Sequence, residues 1–508
     1  MKVLSRIKPF LFFLLCCTAW SAVCFVLPFF IDNPVESFNG ILLLVGYCIA
    51  VSFGIFVLLY LAAANRYVFA LFFPIFCVLG AVVAYFRYAF KATITPMIID
   101  ASLHNDFQTT YELITVPLVL FVLLNLIVSI VAVSYRWRKI TVKNAWLHIF
   151  IAMAMLLLLF NVSSRLKSSL MQRYPFNVYE SFMIYRELQQ KIAEDRICPD
   201  MQHYNRTDSL KVVLVMGESL RADHLSLNGY SRQTMPYLSQ QTNLVSLSDV
   251  YSEYTYTNRS VPHILTRADS ITENLAFNET SFITIFNNAG FQSAWISCQD
   301  PAYSYVAFTA ECDTLIYTHP EKSVYVYSDW FDNEMLTPFD SLSLKGTPRQ
   351  LTVFHMIGSH WYYNNHVLTE CERFKPVTTN RTVTANTAEA IINSYDNTVV
   401  TADLFLHQLF CRLEQEKAIV IFLSDHGEIL GENGQWLHAS DNEVVRHPAC
   451  LVWYSNAYKT TYPQKVAALK QNATLHYRTD FLFHSILSAA NIPSPIIDDN
   501  LNIFSCHK

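Results

Sequence analysis

Glu218, Asp425 and His426 each follow directly on an apolar run, and that placement is the first sign of chemistry in this sequence. Val212 to Met216 is an uninterrupted apolar stretch that opens into Gly217-Glu218-Ser219, and Ala418 to Leu423 runs straight into Ser424-Asp425-His426-Gly427-Glu428. Short apolar runs of this kind read as buried parallel strands, and open α/β sheets bind ligands beyond the carboxyl ends of such strands. A lone carboxylate at that place reads equally well as a neighbour of a helix N-terminus. Two strands that bring two carboxylates and an imidazole to one sheet edge offer mixed oxygen and nitrogen ligands, which suit zinc or a similar divalent ion.

Two further polar clusters lie between these strands. Thr255-Tyr-Thr257-Asn-Arg-Ser-Val-Pro262 is rich in hydroxyls and precedes a helical stretch, the pattern of an N-cap or of an anion-binding turn. In Phe354-His-Met-Ile-Gly-Ser-His360 a buried strand opens into a loop, and His360 together with His438 points to a polar cleft.

The elements that position these residues fall into two regions. The chain has 508 residues, 52% of them hydrophobic, and a positive mean hydropathy, high for a purely soluble protein. Apolar runs at about 10–30, 41–63, 68–88, 113–134 and 146–162 each approach the roughly 20 residues that span a bilayer, so five transmembrane helices are expected. The first run lacks a clear small-residue cleavage site and reads as a retained span. Lys2, Arg6 and Lys8, and Arg136, Arg138, Lys139 and Lys143, mark cytoplasmic segments, which carries everything after about residue 163 to the outside. The expected divisions are a membrane domain, 1–163, an interfacial helical linker, 164–208, and an outer domain, 209–508. Within the linker Val178, Phe182, Tyr185, Leu188 and Ile192 share one helical face. The net charge of -5, with no dense Lys/Arg stripe, argues against a nucleic-acid partner.

In the outer domain, Val212–Met216, Ser293–Ser297, Leu351–Met356, Ala418–Leu423 and Ala449–Tyr454 read as strands between helix-compatible stretches, which predicts an α/β sandwich around a largely parallel sheet. Of twelve cysteines, five lie in the apolar runs. Among the rest, proximity makes Cys298 and Cys312 the expected disulfide pair.

Three motifs carry a resemblance. Gly217-Glu-Ser-Leu-Arg-Ala-Asp-His-Leu-Ser-Leu-Asn-Gly-Tyr-Ser-Arg-Gln-Thr-Met-Pro-Tyr-Leu238, Asn393-Ser-Tyr-Asp-Asn-Thr398 and Ser424-Asp-His-Gly-Glu-Ile-Leu-Gly-Glu-Asn-Gly-Gln-Trp-Leu-His438 resemble, in that order, the bacterial phosphoethanolamine transferases, membrane members of the alkaline phosphatase and sulfatase superfamily. The resemblance implies a domain of alkaline phosphatase/sulfatase type, outside the bacterial inner membrane in the periplasm. It also implies transfer of phosphoethanolamine from phosphatidylethanolamine to lipopolysaccharide, lipid A or another envelope glycolipid through a covalent phospho-threonine. By the same resemblance Glu218, Thr257, Asp425 and His426 hold one tightly bound zinc, with a second ion left open, Thr257 is the nucleophile with Thr255 as its rival, and His360 and His438 contact the substrate group or a second metal. A phosphoglycerol transferase of the same superfamily and a non-catalytic envelope-lipid binder are the alternatives. Ser226 to Tyr230 with Arg232, Thr234 and Pro236 fits the phosphoethanolamine branch better, and a sulfatase's Cys/Ser-x-Pro-x-Arg is missing from the sequence.

Two departures from the family pattern stand out. Glu253 and His263 occupy places where relatives carry cysteines flanking the nucleophile turn, so that turn must be held by other means. Asp100, His104 and Gln108 fall nearest to the headgroup-contacting residues of relatives, and their spacing puts them on one helical face.

Overall fold

The computed structural model describes residues 4–506 apart from 31–37, 91–92, 97, 100–102, 104–114, 162–163, 200–208, 322–328, 344–347, 382 and 439–441. Asp100, His104 and Gln108 lie outside the described residues. The chain divides into two compact units, Met1–Arg186 with Pro320–Ser328 and Glu187–His319 with Asp329–Lys508.

The first unit is helical: α1 (Leu4–Ser21), α2 (Phe38–Ala63), α3 (Arg66–Phe90), α4 (Val116–Lys139), α5 (Ala145–Asn161) and α6 (Ser164–Met171). Among the described residues four apolar stretches are long enough to cross a membrane, Pro9–Phe29, Phe38–Ala63, Arg66–Tyr88 and Val116–Lys139. The fifth expected span, α5, has 17 residues and falls short of the roughly 20 that cross a bilayer upright. Leu42, Ile49, Leu120, Ile127, Phe150 and Leu158 are exposed on α2, α4 and α5, a surface suited to lipid contact. Inside the unit, polar groups find partners across helices: Trp20 Nε1 donates to Asn125 Oδ1 (2.9 Å), and Arg136 donates to the carbonyl of Ala63 at the end of α2 as well as to that of Ile140, which caps its own helix.

The linker helix α7 (Phe176–Ile192) forms as the periodicity predicts, but its predicted face is not buried as a whole. Leu188 is buried while Phe182 and Ile192 are exposed.

The second unit is built on a seven-stranded sheet: β1 (Leu210–Gly217), β2 (Leu244–Ser246), β3 (Gln292–Ser297), β4 (Thr314–Tyr317), β5 (Arg349–His355), β6 (Ala418–Ser424) and β7 (Cys450–Tyr454), in the spatial order β2-β7-β6-β1-β5-β3-β4. The five strands from β6 to β4 are parallel, while β7 runs antiparallel to both β6 and β2. β1 is central, and Val212 to Met216 are fully buried because helices cover both faces of a parallel sheet. The edge strands β2 and β4 were not expected from sequence. They are short and only partly buried, so neither shows an apolar run.

The disulfide expectation fails: all twelve cysteines are free thiols. The parallel register pairs Ala294 with Thr314 and Ser297 with Tyr317. Cys298 therefore lies beside Thr318, its hydrogen-bond partner at 3.1 Å, while Cys312 precedes the start of β4. Six residues of strand separate the two positions by about 20 Å, against the roughly 6 Å between Cα atoms that a disulfide allows.

Two helices serve the site directly. The short helix α8 (Thr257–Leu265) carries Thr257 as its first residue. The long helix α9 (Ala388–Leu413) is capped by the Thr387 side chain, which accepts from Ala390 N. Through α9 the second sequence motif supports the first: Asp396 accepts from Tyr230 and Arg232 and pairs with His224 Nδ1 (2.7 Å). Tyr395 OH donates to Ser219 O (2.8 Å) and accepts from Arg221 N (2.9 Å).

Candidate functional site

β1 and β6 are paired in register, Gly217 opposite Ser424, so the residues after each strand emerge side by side. Glu218, Asp425 and His426 are thereby brought together, each essentially inaccessible to water. The turn is tight: Ser219 takes a left-handed conformation (φ 59°), held by the Tyr395 hydroxyl. Gly358 approaches so closely that a Cβ there would sit 2.9 Å from Glu218 O.

Thr257 completes the group. Its hydroxyl donates to Glu218 Oε2 (3.0 Å) and lies 3.4 Å from His426 Nε2. His426 Nε2 is 3.5 Å from Glu218 Oε1 and 3.5 Å from Asp425 Oδ2. An ion with bonds of 2.0–2.2 Å to four tetrahedral ligands separates the ligand atoms by about 3.3–3.6 Å, the spacing of the three contacts of His426 Nε2, while the hydrogen-bonded Thr257–Glu218 pair is closer. Asp425 adds a second sign: Oδ1 accepts from Ser219 N and His426 N, while the buried Oδ2 has no hydrogen-bond partner. A buried carboxylate oxygen left unpaired is costly unless a cation faces it. His426 is oriented from behind by Gly427 O, 2.7 Å from Nδ1, which leaves Nε2 free to ligate.

The electrostatics separate the two carboxylates. Burial alone would raise Glu218, but the charges of His426, His360 and His438 and the Ser219 hydroxyl hold it below the usual carboxylate range. Burial raises Asp425, and the negative charge of Glu218 raises it further.

His438 lies on the rim, its ring centroid 4.6 Å from that of His426 and 6.0 Å from that of His360. Glu218, His426 and His438 each present a ligand atom within 4.8 Å of the others. Glu428 was not singled out from the sequence, yet it is fully buried and pairs through Oε2 with His438 Nδ1 (3.2 Å). Burial alone would lower His438, but the hydrogen bond and charge of Glu428, with Glu218 and Asp425 adding to them, push it up to about 9. The signal for Glu428 was its position two residues after His426 in the same loop. Gln299, which donates to Glu218 Oε2 (2.9 Å), gave no such signal. His360 is half-buried, and its Nδ1 has no hydrogen-bond partner.

Thr255, the rival hydroxyl, is buried two residues before the helix. The hydroxyl that meets Glu218 is that of Thr257. Where relatives were expected to carry cysteines, Glu253 pairs with Arg478 (2.5 Å), and His263 Nε2 lies 3.1 Å from Tyr254 OH. These polar ties hold the turn ahead of Thr257.

Comparison with known proteins follows the same division of the chain. The sulfatase family matches residues 211–492, more than half of the chain, and the phosphoethanolamine transferase EptA/EptB family matches residues 52–173. Phosphoethanolamine transferase EptA of Escherichia coli is 27% identical over 58% of this chain, and the match spans about half of that relative's length (55%). EptA of Helicobacter pylori is 27% identical, over 81% of this chain and 80% of its own. The Kdo(2)-lipid A phosphoethanolamine 7''-transferase of Salmonella typhimurium is 29% identical over 59% of this chain and 55% of its own. Among solved structures, the soluble domain of lipooligosaccharide phosphoethanolamine transferase A from Neisseria meningitidis superposes with a TM-score of 0.54 at 28% identity, covering 63% of this chain and 97% of that one. The integral membrane form of that enzyme gives 0.56 at 24% identity over 98% of each chain, a likeness of fold. The periplasmic domain of EptC from Escherichia coli, in complex with Zn, gives 0.55 at 21% identity over 61% of this chain and 90% of that one, again a likeness of fold. With both parts of the chain matched, it belongs to the phosphoethanolamine transferase family of the alkaline phosphatase superfamily.

Proposed function

We propose that this protein transfers phosphoethanolamine from phosphatidylethanolamine to an envelope glycolipid such as lipid A or the lipopolysaccharide core, with Thr257 as the nucleophile and zinc held by Glu218, Thr257, Asp425 and His426. The observation that carries the proposal is the convergence of the other three side chains on His426 Nε2, with Thr257 Oγ1 at 3.4 Å and Glu218 Oε1 and Asp425 Oδ2 each at 3.5 Å. A bound zinc ion supplies Lewis acidity, lowering the pKa of a coordinated hydroxyl and drawing charge from phosphoryl oxygens.

The side chains divide the remaining work. Thr257 begins α8, so the positive end of the helix dipole favours the anion that forms on its oxygen, whether alkoxide or phosphoester. Attack forms the Thr257 Oγ–phosphorus bond and breaks the bond from phosphorus to the diacylglycerol oxygen. Glu218 Oε2, which accepts from the Thr257 hydroxyl (3.0 Å), aims that oxygen and stays ionised, and the Thr257 proton passes to water. His438, kept protonated at neutral pH by Glu428, donates a proton to the leaving oxygen. His360, across the rim, contacts the substrate headgroup. In the second half His438, now neutral, takes the proton of an acceptor hydroxyl whose oxygen attacks phosphorus, the Thr257 Oγ–phosphorus bond breaks, and the freed oxygen takes a proton from water to restore the hydroxyl.

In this reading residues 1–163 span the bacterial inner membrane five times, α5 crossing as the shortest helix, and 164–208 form the linker, with the apolar residues exposed on α7 lying at the membrane surface. Residues 209–508 are periplasmic. Anchoring the catalytic domain at the bilayer suits a donor that is itself a bilayer lipid. The test is turnover of a fluorescent phosphatidylethanolamine by the purified chain in detergent. The wild type releases labelled diacylglycerol, whereas Thr257→Ala, with an unchanged melting profile, releases none. Turnover by the Ala variant would rule Thr257 out as nucleophile.

A further inference from the structure

Glu218 is gripped from both sides of the sheet. On the β6 side it meets His426, and on the β5 and β3 side it meets Gln299. Its Oε1 accepts from Ser219 Oγ (2.7 Å), and its Oε2 accepts from Thr257 Oγ1 (3.0 Å) and from Gln299 Nε2 (2.9 Å). The same Gln299 nitrogen donates its other hydrogen to Met356 O (2.8 Å). A carboxylate and a carbonyl only accept, so the amide can face this pair through its nitrogen alone. The backbone of Gln299 is itself fixed by Ser297, whose hydroxyl accepts from Gln299 N (3.0 Å) and donates to Gln299 O (3.1 Å). One side chain thus ties the ends of β1, β3 and β5 at the place where Glu218 enters the site.

We propose that Gln299 is a positioning residue that fixes the Glu218 carboxylate and thereby sets the metal affinity of the site, an inference that rests on the reading of Glu218 as a metal ligand. A ligand carboxylate must be ionised and correctly turned before the ion arrives. Gln299 serves both needs: its N–H favours the charged form, and its second hydrogen bond prevents the pair from rotating together. A neutral donor does this without adding positive charge. A Lys or Arg at the same position would hold the carboxylate equally well but would repel the cation. Ser219 holds the other oxygen, so the carboxylate is oriented before any ligand is bound.

The experiment uses the full chain in detergent, stripped of metal and titrated with zinc against a chromophoric chelator. Gln299→Met keeps the length and removes both donors. Outer partners of metal ligands are worth about 10–100-fold in affinity, so the variant is expected to bind zinc that much more weakly than the wild type. Its metal-free melting temperature is expected to be unchanged, and its kcat to return to the wild-type value at saturating zinc. A zinc affinity within twofold of the wild type would overturn the inference, as would a kcat that stays low when zinc is saturating. Should Gln299→Met lose its metal-free fold, Gln299→Asn is measured in its place, since it keeps an amide one methylene too short to reach both acceptors, and the same weakening is expected. A wild-type chain that binds no zinc would instead overturn the metal reading of Glu218 itself, an outcome separate from a variant that binds as well as the wild type.

Discussion

Replacing Asp425 by Asn separates metal binding from folding, because the two respond in opposite directions. In the metal-free protein Asp425 is a buried carboxylate beside a second one, Glu218, with Oδ2 unpaired. Its charge is disfavoured there by burial and by Glu218. Asn keeps the Oδ1 that accepts from Ser219 N and His426 N and removes the charge, so the metal-free variant should melt at or above the metal-free wild type. With metal the order reverses. Free zinc at about 100 times Kd stabilises the wild type by about 2.7 kcal/mol, which is a rise in Tm of about 4 °C for a domain of about 300 residues. If loss of one of four ligands weakens binding by about 100-fold, comparable to the larger effects of losing an outer partner, the same free zinc gives only about 0.4 kcal/mol, a rise below about 1 °C. The assay is thermal melting of the chelator-stripped full chain, followed by tryptophan fluorescence in buffered free zinc. A full zinc shift in Asp425→Asn would remove Asp425 from the ligand set, and a metal-free variant several degrees less stable would make its role structural.

Two further substitutions test the surroundings of the site. Gly358 has φ 48°, and a Cβ there would sit 2.9 Å from Glu218 O and 3.0 Å from Glu218 N. Gly358→Ala should therefore cost about 2 kcal/mol or more in left-handed strain and backbone contact and weaken zinc binding by moving Glu218. Unchanged melting and zinc affinity would show that the close approach is not needed. Asp480 is buried, and burial, tempered by Arg478, raises its pKa to about 6. A carboxyl whose folded pKa lies above its unfolded value of about 3.9 contributes stability below that value and loses it as pH rises through the folded pKa. Denaturant unfolding of Asp480→Asn should show a stability difference, variant minus wild type, that grows by about 2–3 kcal/mol between pH ~4 and ~7.5. A difference independent of pH would contradict the assignment.

How much was legible in the sequence depended on whether a feature was local. Val212 to Met216 and Ala418 to Leu423 announced themselves because a central parallel strand is buried on both faces and must be apolar throughout. β4 did not, because at the sheet edge Leu315 is exposed and its neighbours are only partly covered. The meeting of Glu218, Asp425 and His426 was readable from strand ends alone, since both strands finish at one edge of the sheet. Gln299 and Glu428 were not readable in the same way. Gln299 reaches Glu218 across an intervening strand, and Glu428 acquires meaning only when the small hairpin Ile429–Leu430 with Trp436–Leu437 folds His438 back onto it. The Cys298–Cys312 pairing failed for a related reason: nearness in sequence is not nearness in space when a parallel crossover sends the second cysteine to the far end of its strand. The resemblance favoured Thr257 over Thr255, and at the start of α8 it is the Thr257 hydroxyl that meets Glu218.

The central claim is that Thr257 carries the transferred group. The most direct measurement is intact mass spectrometry of the purified chain after incubation with zinc and phosphatidylethanolamine in the absence of an acceptor, followed by peptide mapping. A single phosphoethanolamine adduct on the peptide containing Thr257, lost when acceptor glycolipid is added and never formed in Thr257→Ala, is the predicted result. An adduct on another residue, one that forms only with phosphatidylglycerol, or none despite bound zinc would contradict it.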